Sequence, residues 1–83
     1  MKKTIHRPEY RALIDALRAR REALDVSQDS LAKALGWSQQ KLSATESCSR
    51  RLDVLEFLAL ASALGLSSRQ AMGLAERSTA ESR

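Results

Sequence analysis

The sequence predicts an all-α fold, five short helices in one domain, on three observations. Its apolar residues are mostly Leu and Ala, with one each of Phe, Trp and Tyr, a bias that favours helix over strand. Apolar positions recur at the i, i+3, i+4 spacing of amphipathic helices. Residues that start or stop helices, namely Pro8, Ser27, Gly36, Ser38 and Gly65, are spaced to leave room for five such elements. At 83 residues the chain is near the lower limit at which one hydrophobic core holds a fold without disulfides or metal.

Residues 1–8 lack apolar periodicity and read as a flexible basic arm, with Pro8 suited to the first turn of a helix. From Glu9 to about Leu24, the residues Tyr10, Leu13, Ile14, Leu17 and Leu24 form one apolar stripe, and Arg7, Arg11, Arg18 and Arg21 cluster on an adjoining one. Ser27 is a good cap for a second helix from Gln28, in which Leu31, Ala34 and Leu35 point to the core and Ala32 permits a close helix crossing. Gly36 then turns the chain through a left-handed conformation. Ser38 caps a third helix whose first exposed turn is Gln39, Gln40 and Lys41, with Leu42 its one obvious core anchor. Trp37, between these helices, reads as an apolar plug rather than a ligand platform.

A polar loop, Ser47 to Arg51, carries two adjacent arginines. In the fourth helix, within Leu52 to Leu64, the expected core face is Val54, Phe57, Leu58, Ala61 and Leu64, with Leu55 and Leu60 off it. Gly65 stops that helix and Ser67 caps a short fifth one, Arg69 to Ala75. The domain is therefore expected to span residues 9–76, followed by a disordered polar tail at 77–83.

Composition excludes several functions. One cysteine, Cys48, and one histidine, His6, cannot supply a disulfide or a zinc site. No metal or cofactor is expected. No apolar run nears the roughly 20 residues of a membrane span, so the expected setting is cytoplasmic. There is no Ser-His-Asp set and no phosphate-cradling glycine loop, so an enzyme is not expected. Asp25 and Asp29 are explained as turn and helix-start residues. The net charge of +4 lies wholly within residues 1–24, where seven Lys or Arg face three acids. That asymmetry suits a polyanionic partner, although a solvated basic helix face would look the same.

The second and third helices have helix-turn-helix spacing: a short helix, a turn containing Gly, and a helix whose N-terminal side chains can reach base edges. Glutamine can donate to and accept from adenine at once, so Gln39 and Gln40 suit sequence readout.

With SQxxLAxxLGWSQQxLSxxE from Ser27 to Glu46, RRLDVLEFL from Arg50 to Leu58 and ASALGLS from Ala61 to Ser67, the chain resembles the phage repressor and Cro proteins, the xenobiotic-response-element family, over roughly Tyr10 to Leu66. The resemblance implies a compact five-helix repressor-like bundle that binds double-stranded DNA, usually as a homodimer on a two-fold symmetric operator. By position it implies base reading by Gln39, Gln40, Ser43 and Ala44. It implies phosphate contacts from Gln28, Ser38, Lys41, Arg50 and Arg51. It also implies a structural ion pair between Arg21 and Glu46. Cys48 stands where the family usually has glycine, and Thr45 where it commonly has a large apolar residue.

The expected function is a transcriptional regulator, such as a repressor, dimerising through its last two helices. The alternative is an antitoxin or other protein-interaction module that sequesters a toxin-like partner and binds DNA only for autoregulation. Leu55, Leu60, Met72 and Leu74 motivate it, as apolar residues that the core does not obviously absorb. Cys48 has two readings, an exposed redox or cross-linking thiol and a small idle residue.

Overall fold

The computed structural model describes residues 7–81. Among these the chain forms five helices and no strand: α1 (Pro8–Ala23), α2 (Gln28–Leu35), α3 (Gln39–Glu46), α4 (Val54–Ala63) and α5 (Ser68–Glu81). Residues 1–6 of the expected arm lie outside this range. Arg7 is the cap of α1 and Pro8 its first residue, where a missing N–H costs no helical hydrogen bond.

The first four helices all stop the same way. One or two residues past the end of each helix the backbone turns left-handed, at Asp25 (φ 59°), Gly36 (φ 72°), Cys48 (φ 62°) and Gly65 (φ 81°); the amide of this left-handed residue is the first of the closing donors. In each case its amide, and that of the next residue, bond back to carbonyls of the last turn. The bonds that span more of the chain are Val26 N to Arg21 O, Trp37 N to Ala32 O, Ser49 N to Ala44 O and Leu66 N to Ala61 O, at 3.2, 2.9, 2.8 and 2.9 Å. This Schellman closure satisfies otherwise orphaned carbonyls and reverses the chain in very few residues. Starts are equally well defined. Ser27, Ser38 and Asp53 accept the amides of Ser30, Lys41 and Glu56, respectively.

Turns this tight stack the helices around one core of Ile14, Leu17, Leu31, Ala32, Leu42, Cys48, Leu60 and Leu64. Helix α2 packs on α3 and α4, and α1 reaches α3. The start of α5 shares a groove with Arg20 and its end lies by Arg7 and Tyr10, so α5 runs antiparallel along α1.

The structure corrects four expectations. The core face of α4 is Phe57, Leu60, Ala61 and Leu64: Leu60 is buried, whereas Val54 is 72% exposed. Val54 opens α4 and stands clear of the packed neighbours, so the stripe begins a turn later than the spacing suggested. Ala34 is exposed rather than turned to the core, whereas Ala32 is buried, as expected of a residue under a close helix crossing. Arg21 is buried and does not belong to the basic edge, which keeps Arg7, Arg11 and Arg18 in solvent. Finally, the segment expected to be a disordered tail is helical through Glu81. Ser78 and Thr79 donate to the carbonyls of Leu74 and Ala75 at 2.9 and 3.0 Å, so Ser78 can be buried without stranding a polar group.

Candidate nucleic-acid interface

Helix α3 buries three residues rather than one. Leu42 and Thr45 are fully enclosed and Glu46 nearly so. Thr45, where an apolar side chain was the norm, satisfies its hydroxyl by donating to Lys41 O at 2.9 Å. Those anchors fix which face turns outward. Gln39, Gln40 and Ser43 are exposed and Ala44 is partly so, and spacings of three (40 to 43) and four (39 to 43, 40 to 44) make them neighbours on the helix surface. The structure thus brings the four expected base-reading residues together on a polar surface, with Ser38 exposed at its N-terminal edge.

The orientation of α3 is fixed by Glu46. Its carboxylate accepts Arg21 Nε at 2.7 Å and Arg21 Nη2 at 3.1 Å, a two-point pair linking α3 to α1. Arg21 Nη1 also donates to Val26 O at 2.7 Å, tying in the turn before α2. The hydrogen-bonded carboxylate holds the Arg21 guanidinium even further toward its charged form. Gln28 Nε2 donates to the same carboxylate at 2.8 Å. Gln28, expected at a phosphate, is thus committed through that amide to the joint between α2 and α3, and its part-buried side chain stands at the rim rather than on the exposed face.

The expected phosphate-gripping cations are arranged unequally. Arg51 is exposed and forms no ion pair among the described residues. Arg50 and Lys41 both converge on Glu56, a residue the sequence reading passed over. Arg50 Nη2 lies 3.0 Å from Glu56 Oε2 and Lys41 Nζ also lies 3.0 Å from it. Lys41 Nζ also sits 4.3 Å from the centre of the Trp37 ring, a cation–π contact. Trp37 therefore plugs the turn with one side and supports a cation with the other. Three donors, the Asp53 backbone N–H foremost and then Arg50 and Lys41, pull the Glu56 carboxyl down to about 2. The sequence did hold a signal: Asp53 and Glu56 have the D-x-x-E spacing of a capping box, and the box is present.

Tyr10 and Arg11 are further additions. The Tyr10 hydroxyl accepts Leu52 N at 2.9 Å, pinning the loop after α3 to the start of α1. Burial is the main reason its phenol is harder to ionise than usual. Arg11 is exposed and close enough to act on Cys48 electrostatically. The start of α1 therefore lies beside Arg50 and Arg51. Cys48 itself is 3% exposed and burial raises its thiol pKa, which corrects the reading of an exposed reactive thiol.

No group of three or more His, Cys, Asp or Glu could hold a metal among the described residues, and no described helix is long and apolar enough to cross a membrane. A family model described as a helix-turn-helix domain matches residues 6–73. A solved structure, an XRE-family like protein from Pseudomonas syringae pv. tomato, is 36% identical. The match covers 96% of this chain and 94% of that one, with a TM-score of 0.81. No curated protein matches.

Proposed function

The chain belongs to the XRE family of helix-turn-helix proteins, DNA-binding regulators rather than enzymes, and from that premise we propose that it reads specific double-stranded DNA sequence with α3. The observation that carries the proposal is the division of α3 into a clamped face (Leu42, Thr45, Glu46) and an outward face of Gln39, Gln40, Ser43 and Ala44. A rigid helix with adjacent exposed carboxamides suits major-groove readout, where glutamine pairs with an adenine edge. Ser38, Lys41, Arg50 and Arg51 border that face and supply phosphate contacts, which set register and affinity rather than sequence preference. Gln28 serves mainly through the Glu46 joint.

We further propose a homodimer on a palindromic operator, repressing transcription in the cytoplasm. Val54, Leu55 and Met72 are 72, 77 and 55% exposed, and self-association through α4 and α5 would cover them. The antitoxin alternative loses part of its support, because Leu60 is buried and Leu74 is packed against the core.

Selection of bound sequences from a random duplex library tests this reading. The expected product is two half-sites about 34 Å apart, centre to centre, bound with an affinity that drops steeply as salt rises. Enrichment of no sequence, or binding indifferent to salt, contradicts it. Purification of the complex with a different protein and no self-association would favour the alternative.

A further inference from the structure

Glu56 is unusual for a carboxylate at the border of a surface read as binding a polyanion. It is not a stray surface charge: its side chain is 17% exposed, and it is the shared acceptor for two of the cations flanking α3. Arg50 Nη2 reaches both of its oxygens, at 3.2 and 3.0 Å. Lys41 Nζ reaches Oε2 at 3.0 Å, and the Asp53 amide donates to Oε1 at 3.1 Å. Lys41 and Arg50 nonetheless keep 34 and 32% of their side chains open to solvent. They can be approached from outside while paired inside.

Resting on the DNA-binding reading, we infer that Glu56 is an intramolecular rival of the DNA phosphate, holding Lys41 and Arg50 in the free protein and yielding them when the backbone arrives. One carboxylate against two cations leaves a local charge of +1 where the sequence alone suggests +2. A phosphate contact made by Lys41 or Arg50 must therefore displace or stretch an existing ion pair, and only the difference appears as affinity. Among the described residues Arg51 has no such rival, and it contributes in full. Because the carboxyl ionises at about 2, protonation does not open the latch near neutral pH, and an approaching anion must. Glu56 is in this sense a positioning residue that sets affinity without reaching the groove floor.

The test compares wild type, Glu56→Gln, Lys41→Met and the double variant on the selected duplex as salt is raised, with Glu76→Gln as a control of equal charge change on the exposed face of α5. Glutamine retains the acceptor that the capping box needs, so E56Q keeps its fold, and a melt confirms it. Each added phosphate contact steepens the salt slope by about 0.9, which corresponds to roughly tenfold in affinity near 0.1 M salt relative to 1 M. E56Q is expected to bind roughly tenfold tighter with a slope about one steeper, whereas E76Q leaves the slope unchanged. Lys41→Met should cost little in the wild type and roughly tenfold beside E56Q. Folded E56Q that binds no tighter than wild type overturns the inference, as does an equal Lys41→Met penalty in both backgrounds. Should E56Q fail to fold, Lys41→Met alone decides: a tenfold loss in the otherwise native protein overturns the latch, and near-indifference supports it. A wild type that binds no duplex removes the DNA-binding reading and the inference together; binding without a gain in E56Q removes only the inference.

Discussion

Replacing Arg21 with Met should damage this protein by unfolding it rather than by removing a DNA contact. The substitution deletes three hydrogen bonds, two to Glu46 and one to Val26 O. Glu46, 6% exposed, would keep only the 2.8 Å bond from Gln28. Leaving one member of a buried ion pair alone costs about 3–5 kcal/mol, against a total stability of about 4–12 kcal/mol for a domain of this size. At about 4–8 °C per kcal/mol, the melting midpoint should fall by at least about 12 °C, read by far-ultraviolet circular dichroism. The double variant Arg21→Met/Glu46→Leu removes the orphaned charge and should recover most of the loss. A single variant melting within about 3 °C of wild type, less than 1 kcal/mol on the same scale, would refute the claim that this pair is buried and coupled. So would a double variant no more stable than Arg21→Met.

Acid should unfold the domain partly through Glu56. Its carboxyl is lowered from 4.5 to about 2 on folding, so its stabilisation is present above pH 4.5 and is lost as pH falls from there toward 2. Urea titrations across that window should show a shallower pH dependence in Glu56→Gln. Cys48→Val should be destabilising by more than about 1 kcal/mol, because a β-branched residue is poorly accommodated at φ 62°. Cys48→Gly trades relief of that strain against a lost buried side chain and should stay within about 1 kcal/mol of wild type in chemical denaturation. The native Cys48 thiol should resist a disulfide reagent at neutral pH until urea unfolds the chain. Gln40→Ala should leave the melting temperature unchanged, since Gln40 is exposed, yet reduce discrimination against a mismatched operator by about 1–3 kcal/mol in competition binding.

The local chemistry of single residues made most helix boundaries legible. Ser27, Ser38 and Gly36 each do in the structure what their side chains or lack of one predict. What stayed hidden depended on tertiary placement. Nothing about a cysteine announces a left-handed helix stop, and Asp25 does so only weakly through the tolerance of Asp for that region. The α4 stripe was misplaced because Val54, Leu55 and Leu60 are equally apolar, and only the crossing of neighbouring helices selects among them. The polar end of α5 looked unfolded because its support comes from α1, far away in sequence. At the candidate interface the outward residues of α3 could be named, whereas the internal commitments of Lys41 and Arg50 could not. Those depend on where α4 delivers a carboxylate.

The antiparallel seating of α5 against α1 has a consequence for biosynthesis. Helix α1 leaves the ribosome well before α5, the helix that covers one side of it. Until α5 emerges, the side of α1 that carries Tyr10, Leu13 and Ala16 lacks its cover, and the nascent chain presents that partly apolar side to chaperones or to a sibling on the same message. The reading helix is thus translated well before the scaffold that steadies it is closed, and a ribosome stalled between Gly65 and Arg77 would display an unfinished regulator.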